Sequence, residues 1–84
     1  MSVEVLVMGF RAWLRGLLEE GMYRSQYEMA ESFGVRQPTI NHWLHGARQP
    51  ELESCALISE ATGKPMAEIW EMVRADTGEP ATAN

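Results

Sequence analysis

The stretch SFGVRQPTINHWLHGARQP, Ser32 to Pro50, contains no Asp or Glu, in a chain of 84 residues that carries 12 acids against 7 Lys and Arg. Arg36 and Arg48 lie in this window together with His42 and His45, two imidazoles that can gain charge beside a polyanion. A solvated surface usually mixes both signs, so a stretch kept clear of carboxylates suits an anionic partner. With the chain divided at Ser32 and Glu51 into three sections of net charge −2, +2 and −5, this window is the net-positive one. From Glu51 onward, seven acids face only Lys64 and Arg74.

Other residues with reactive side chains lack the company that chemistry would need. His42 and His45 have the i, i+3 spacing of a shared metal site, but no Cys or carboxylate stands near them in sequence, so neither a metal nor another cofactor is expected. Cys55 follows Ser54 with no adjacent base and reads as a small buried residue. No nucleophile–base pair, metal cluster or phosphate loop is visible, so no catalytic residue is assigned and no enzyme is expected. Trp13, Trp43 and Trp70 fall at helical spacing with other apolar residues and read as core, and the six Met as gap fillers. The lone cysteine excludes an intramolecular disulfide and fits a reducing, cytoplasmic setting. MSVEVLVMGF lacks the basic start of a signal peptide, and no apolar run approaches the length of a membrane span.

The elements that must position the window are helices. Phe10, Trp13, Leu14, Leu17 and Leu18 follow the i, i+3, i+4, i+7, i+8 pattern of one buried helical face, and Gly21 marks its stop. A second helix opens at Arg24 or Ser25, turns Met29, Ala30 and Phe33 inward, and closes at Gly34, with Val35 beneath the turn. Pro38 suits the first turn of a third helix, where its missing N–H does no harm. Ile40, Trp43 and Leu44 form that helix's inner face, and it ends before Gly46. A fourth helix is expected from Glu51 to Thr62, with Leu52, Cys55, Ala56 and Ser59 on its inner stripe and Ile58 beside it. The fifth runs from Pro65 to Ala75 and presents Met66, Ile69, Trp70 and Val73. The fold class is therefore all-α, with five helices.

This order divides the chain into an N-terminal extension at 1–9, a helical domain at 10–76 and a flexible tail at 77–84. SVEVLVM reads either as a continuation of the first helix or as a strand with Val3, Val5 and Val7 on one face, which would need a partner chain to satisfy its backbone. With 84 residues, a second hydrophobic core is not expected.

Two short helices joined by a glycine-containing turn, the second followed by a basic loop, form a helix-turn-helix unit. Ser25-Gln26-x-x-x-Ala30-x-x-x-Gly34-Val35-x-Gln37-x-x-Ile40-x-x-Trp43-x-x-Gly46-x-x-x-Pro50 resembles the phage-repressor and Cro family. The likeness is greatest to its small Cro-like and YdaS-like regulators, and it implies a lambda-repressor-like DNA-binding domain that regulates transcription. The matching positions have physical reasons: Ala30 lies where the two helices cross, Gly34 makes the turn, and Ile40 and Trp43 anchor the reading helix. That helix, 37–44, can enter a major groove.

By this resemblance Arg36, Gln37, Pro38, Thr39, Asn41 and His42 form the base-reading face. Gln37 is the foremost reader, because its amide can pair bidentately with adenine N6 and N7. The residue matching Gln26 contacts phosphate in the family and braces the glutamine matching Gln37. Ser25, Gln26, His45 and Arg48 are expected at the DNA backbone. Pro38 departs from the family pattern, which often has a polar reader there, and the loop has one Arg where many relatives have several cations. With so few cations, a homodimer on a palindromic operator is expected, its contact made either by Val3, Val5, Leu6 and Val7 or by the helix face of Met66, Ile69, Trp70 and Val73. The resemblance implies a repressor of phage or prokaryotic origin, in the cytoplasm with the nucleoid. The alternative is an antitoxin or antirepressor-type module whose acidic C-terminal half holds a basic protein partner.

Overall fold

The computed structural model describes residues 9–77, which form five α-helices and no strand. They are α1 Phe10–Glu19, α2 Gln26–Phe33, α3 Gln37–His45, α4 Leu52–Thr62 and α5 Met66–Thr77. The extension at 1–8, with its choice between helix and strand, and the tail at 78–84 lie outside the described residues. Thr77, expected to begin the tail, is the last residue of α5, and its hydroxyl donates to the Arg74 carbonyl.

Short-range chemistry sets most helix ends. Ser25 caps α2 by accepting the Glu28 N–H at 3.2 Å, while the Glu28 carboxylate reaches back to accept the Arg24 N–H at 2.7 Å. These bonds satisfy donors that have no helical partner. At the other end Gly34 adopts φ 79°, and the N–H groups of Gly34 and Val35 both return to the Ala30 carbonyl. This left-handed residue lets the chain turn sharply into α3. The α1 helix is capped differently. Gly9 at its N-cap has no side chain to offer, so Asp76 of α5 accepts the Arg11 N–H at 2.8 Å.

The helices enclose one core. α1 packs on α3 and α5, α2 on α3 and α4, and α4 on α5. Phe10, Leu14, Met29, Phe33, Ile40 and Ile69 are almost fully buried. The Phe10 ring meets Trp43 edge-on with centroids 5.8 Å apart, and Tyr23 meets Phe33 in the same way at 5.7 Å. The inner faces expected for α2 and α3 are the observed ones.

Two inner faces differ from expectation. In α4 the buried residues are Cys55 and Ile58, whereas Leu52 is 54% exposed and Ala56 is also exposed. The helix rests on α2 and α5, and that pair of neighbours rotates its inner stripe away from Leu52 and Ala56. Ser59 is half-buried and donates to the Lys64 carbonyl, so its hydroxyl helps set the α4–α5 turn. In α5, Ile69, Met72 and Val73 face the core, and Trp70, about 100° around the helix from Ile69, lies half-buried at its edge. Trp13 is also an edge residue, with the Lys64 ammonium 5.6 Å from its ring centroid. Only Trp43 of the three tryptophans is a core residue.

Ala30 is 3% exposed on α2, the helix that packs against α3. Ala30→Leu is therefore expected to destabilise the domain by about 1–3 kcal/mol through overpacking. Thermal unfolding is the check. Unchanged melting would mean that the crossing has room the packing does not show.

Candidate nucleic-acid interface

The acid-free window folds as the turn after α2, all of α3 and the loop to α4. Arg36 is the N-cap residue of α3, Pro38 lies in its first turn and Gly46 closes it with φ 76°. Ile40, Trp43 and Leu44 hold one side of α3 in the core. Arg36, Pro38, His42 and His45 are exposed, with Gln37, Thr39 and Asn41 half-buried on the flanks. Their spacing puts Pro38, His42 and His45 at the centre of the outer face, and Gln37 with Asn41 on one edge.

That edge meets α2. The Gln37 side-chain amide donates to Gln26 Oε1 at 2.9 Å, and Asn41 Nδ2 approaches the same oxygen at 3.4 Å. The brace between positions 26 and 37 that the resemblance implied is thus a hydrogen bond of this structure. Its polarity has a consequence. With one Nε2–H given to Gln26, Gln37 keeps its Oε1 acceptor and one N–H, the pair of groups that complements adenine in the major groove.

The window's cations are unpaired. Arg36 and Arg48 are exposed, have no ion-pair partner among the described residues, and line one open groove with Val35, Thr39, Trp43 and Pro50. Other arginines are engaged in structure. Arg11 pairs with Asp76 at 3.7 Å, and its guanidinium lies so close to Gly46 that a Cβ there would come within 2.7 Å of it. Arg15 donates to the Leu44 carbonyl at 3.3 Å, placing a cation at the C-terminal end of α3 where the helix dipole is negative.

His45 Nδ1 donates to the Asn41 carbonyl at 2.9 Å, which leaves Nε2 as the ring's remaining polar atom. Ser25 uses an oxygen lone pair in its cap and retains its hydroxyl proton for another acceptor. Sequence reasoning overlooked Arg24. It is exposed at the residue preceding the Ser25 cap, and its guanidinium has no partner among the described residues. Its position one residue before Ser25-Gln26 was the available signal.

Among the described residues no group of three or more His, Cys, Asp or Glu could hold a metal ion, and no helix is long and apolar enough to cross a membrane. Cys55 is buried, and desolvation raises its thiol pKa above the ordinary value.

A capped helix, a left-handed glycine turn and a second helix with a polar outer face define a helix-turn-helix domain. The Helix-turn-helix family model, of the Cro type, matches residues 15–69, more than half of the chain. The protein belongs to this family of DNA-binding regulatory domains. No curated protein and no solved structure matched the chain.

Proposed function

We propose that the chain is a sequence-specific transcriptional repressor of phage or prokaryotic origin that binds its operator as a homodimer and reads the major groove with α3. The carrying observation is the Gln37–Gln26 hydrogen bond, because it connects a base-reading amide to the helix that lies against the DNA backbone. In this reading Arg36, Pro38, Thr39, Asn41 and His42 complete the base-facing surface. Pro38 offers only apolar contact, such as to a thymine methyl. Ser25, Gln26, His45 and Arg48 hold phosphates, and Arg24 joins them. The free N–H groups at the start of α2 favour the same anions. The protein works in the cytoplasm, with the nucleoid.

The homodimer reading is supported by charge. A chain of net charge −5 with few unpaired cations neutralises few phosphates alone, and two subunits across a twofold axis double the contacts. The dimer contact is assigned to the extension at 1–9 through Val3, Val5, Leu6 and Val7. The α5 face formed by Met66, Ile69, Trp70 and Val73 was the other expectation, but Ile69 and Val73 lie in the subunit's own core.

Gln37→Ala should cost about 1–3 kcal/mol and relax the preference at one base pair. Arg48→Ala should weaken all sequences alike and reduce the salt slope by about one per subunit, about two for the homodimer. Selection from a random duplex pool, followed by titrations at stated salt, measures both. Equal losses on every sequence for both variants would refute this division of roles. The alternative, an antitoxin or antirepressor-type module, draws support from the outer face of α4, where exposed Leu52 and Leu57 accompany Glu53 and Glu60. A Gln37→Ala protein that keeps its full cellular effect would favour it.

A further inference from the structure

We propose that Asn41 is a positioning residue for base choice: it fixes the direction of the Gln26 amide and, through it, which edge of the Gln37 amide faces the DNA. The inference rests on the DNA-reading function above and adds a specificity determinant to it.

The geometry is a single acceptor shared by two donors. Gln26 Oε1 takes the Gln37 Nε2–H at 2.9 Å and faces Asn41 Nδ2 at 3.4 Å, and all three side chains are half-buried at the α2–α3 edge. Gln37 and Asn41 are four residues apart on α3, so they stand one above the other on the same side of the helix. A glutamine amide can be turned end for end with little change of shape, exchanging its oxygen and nitrogen. Gln37 alone would leave Gln26 free to turn, because Gln37 can itself turn and meet an N–H with its own oxygen. Asn41 adds a third amide to the same atom. With its Nδ2 toward Gln26, as here, the shared atom is an oxygen and the Gln37 nitrogen faces it, so the opposite state requires all three amides to turn together.

The state so selected presents Gln37 Oε1 and one N–H to the groove, which suits the N6 donor and N7 acceptor of adenine. The opposite state would present the Gln37 NH₂ group alone, which suits the two acceptors of guanine, O6 and N7. Asn41 is thus coupled to base choice without needing to touch that base.

Two substitutions separate this role from a general packing role. Asn41→Asp replaces the donor by an acceptor-only carboxylate, which repels the Gln26 oxygen and turns both glutamine amides. Gln26→Glu keeps acceptor oxygens for both donors but adds a negative charge beside the DNA backbone. The experiment selects bound sequences from a random-sequence duplex pool with the wild-type chain, and identifies the Gln37 base pair as the position whose preference Gln37→Ala abolishes. Affinities are then measured for duplexes with adenine or guanine at that position, with thermal unfolding of each variant alongside.

Asn41→Asp is expected to lower the adenine-to-guanine affinity ratio by roughly 5- to 150-fold. Asn41→Ala, which removes the donor without adding an acceptor, should lower it by less. Gln26→Glu should leave the ratio within about twofold of wild type while weakening both duplexes by a similar factor. If Asn41→Asp and Asn41→Ala both bind with the wild-type ratio, the inference is overturned while the DNA-reading function stands. It is also overturned if Gln26→Glu loses the ratio as Asn41→Asp does, since acceptor direction would then not be the cause. A folded wild-type chain that enriches no sequence would overturn the DNA-reading function and the inference with it.

Discussion

Trp43→Ala is expected to lower the stability of the domain by about 3–5 kcal/mol, the range for removing a large aromatic side chain from a core. Trp43 is 3% exposed, meets Phe10 of α1 edge-on, and sits on α3 between the buried Ile40 and Leu44. Removing the indole opens a cavity at the α1–α3 contact and loosens the helix that carries Gln37. Domains of this size are stabilised by only about 5–15 kcal/mol, so the loss takes a large share of the total. Trp70→Ala supplies the contrast. Its side chain is half-buried at the core's edge, and the cost should be smaller by at least about 1 kcal/mol. Urea or thermal unfolding of the two variants is the check. Equal losses would mean that the edge tryptophan carries as much of the fold as the central one.

If the chain binds as the proposed homodimer, its affinity for its operator should fall about 10³-fold between 50 and 200 mM salt. Arg24, Arg36 and Arg48 are the exposed arginines with unpaired guanidinium groups, and each can displace one counterion from DNA. Two subunits then neutralise about six phosphates, which gives a logarithmic slope near −5. A single subunit would give a slope near −3 and a loss of only about 40-fold over the same range. Titration at several salt concentrations distinguishes the two cases, and sedimentation supplies the stoichiometry. A slope near −3 with one chain per duplex would remove the homodimer from the proposed function. Deleting residues 1–8 should convert the steeper dependence into the shallower one, because those residues are assigned to the dimer contact.

Local features were readable from the sequence because short-range chemistry decides them. Gly34 and Gly46 end their helices where glycine is expected, and Ser25 with Glu28 begins α2 through side chains within three or four residues of the groups they satisfy. The inner faces of α2 and α3 follow from period alone, since each has one apolar stripe. In α4 two stripes compete. Leu52 with Ala56 and Cys55 with Ile58 both fit a helical period, and the choice depends on where α2 and α5 lie, which residues 52–62 do not encode by themselves. Trp70 and Met72 raise the same problem in α5. Within the interface, Gln26 and Gln37 came from the family resemblance. The second donor on Gln26 could not be read from the sequence, because a 3.4 Å approach between residues 15 apart depends on how two helices cross. Arg11 and Arg15 looked like ordinary surface cations, since Asp76 and the Leu44 carbonyl are distant in sequence.

The clasp between Arg11 and Asp76 brings together two points 65 residues apart, nearly the full length of the described chain. Gly9 lies against Asp76 so closely that a side chain there would collide with the carboxylate. The domain therefore enters and leaves at one place. Adjacent ends are the condition under which a folded unit can be spliced into a surface loop of another protein, or have its ends joined and reopened elsewhere, without rearranging its interior. The junction also lies beside Gly46, at the end of α3 opposite Gln37, because the Arg11 guanidinium reaches that turn. A host attached there would hold the domain by one corner and leave the leading end of α3 unobstructed, so the unit has the geometry of a portable module.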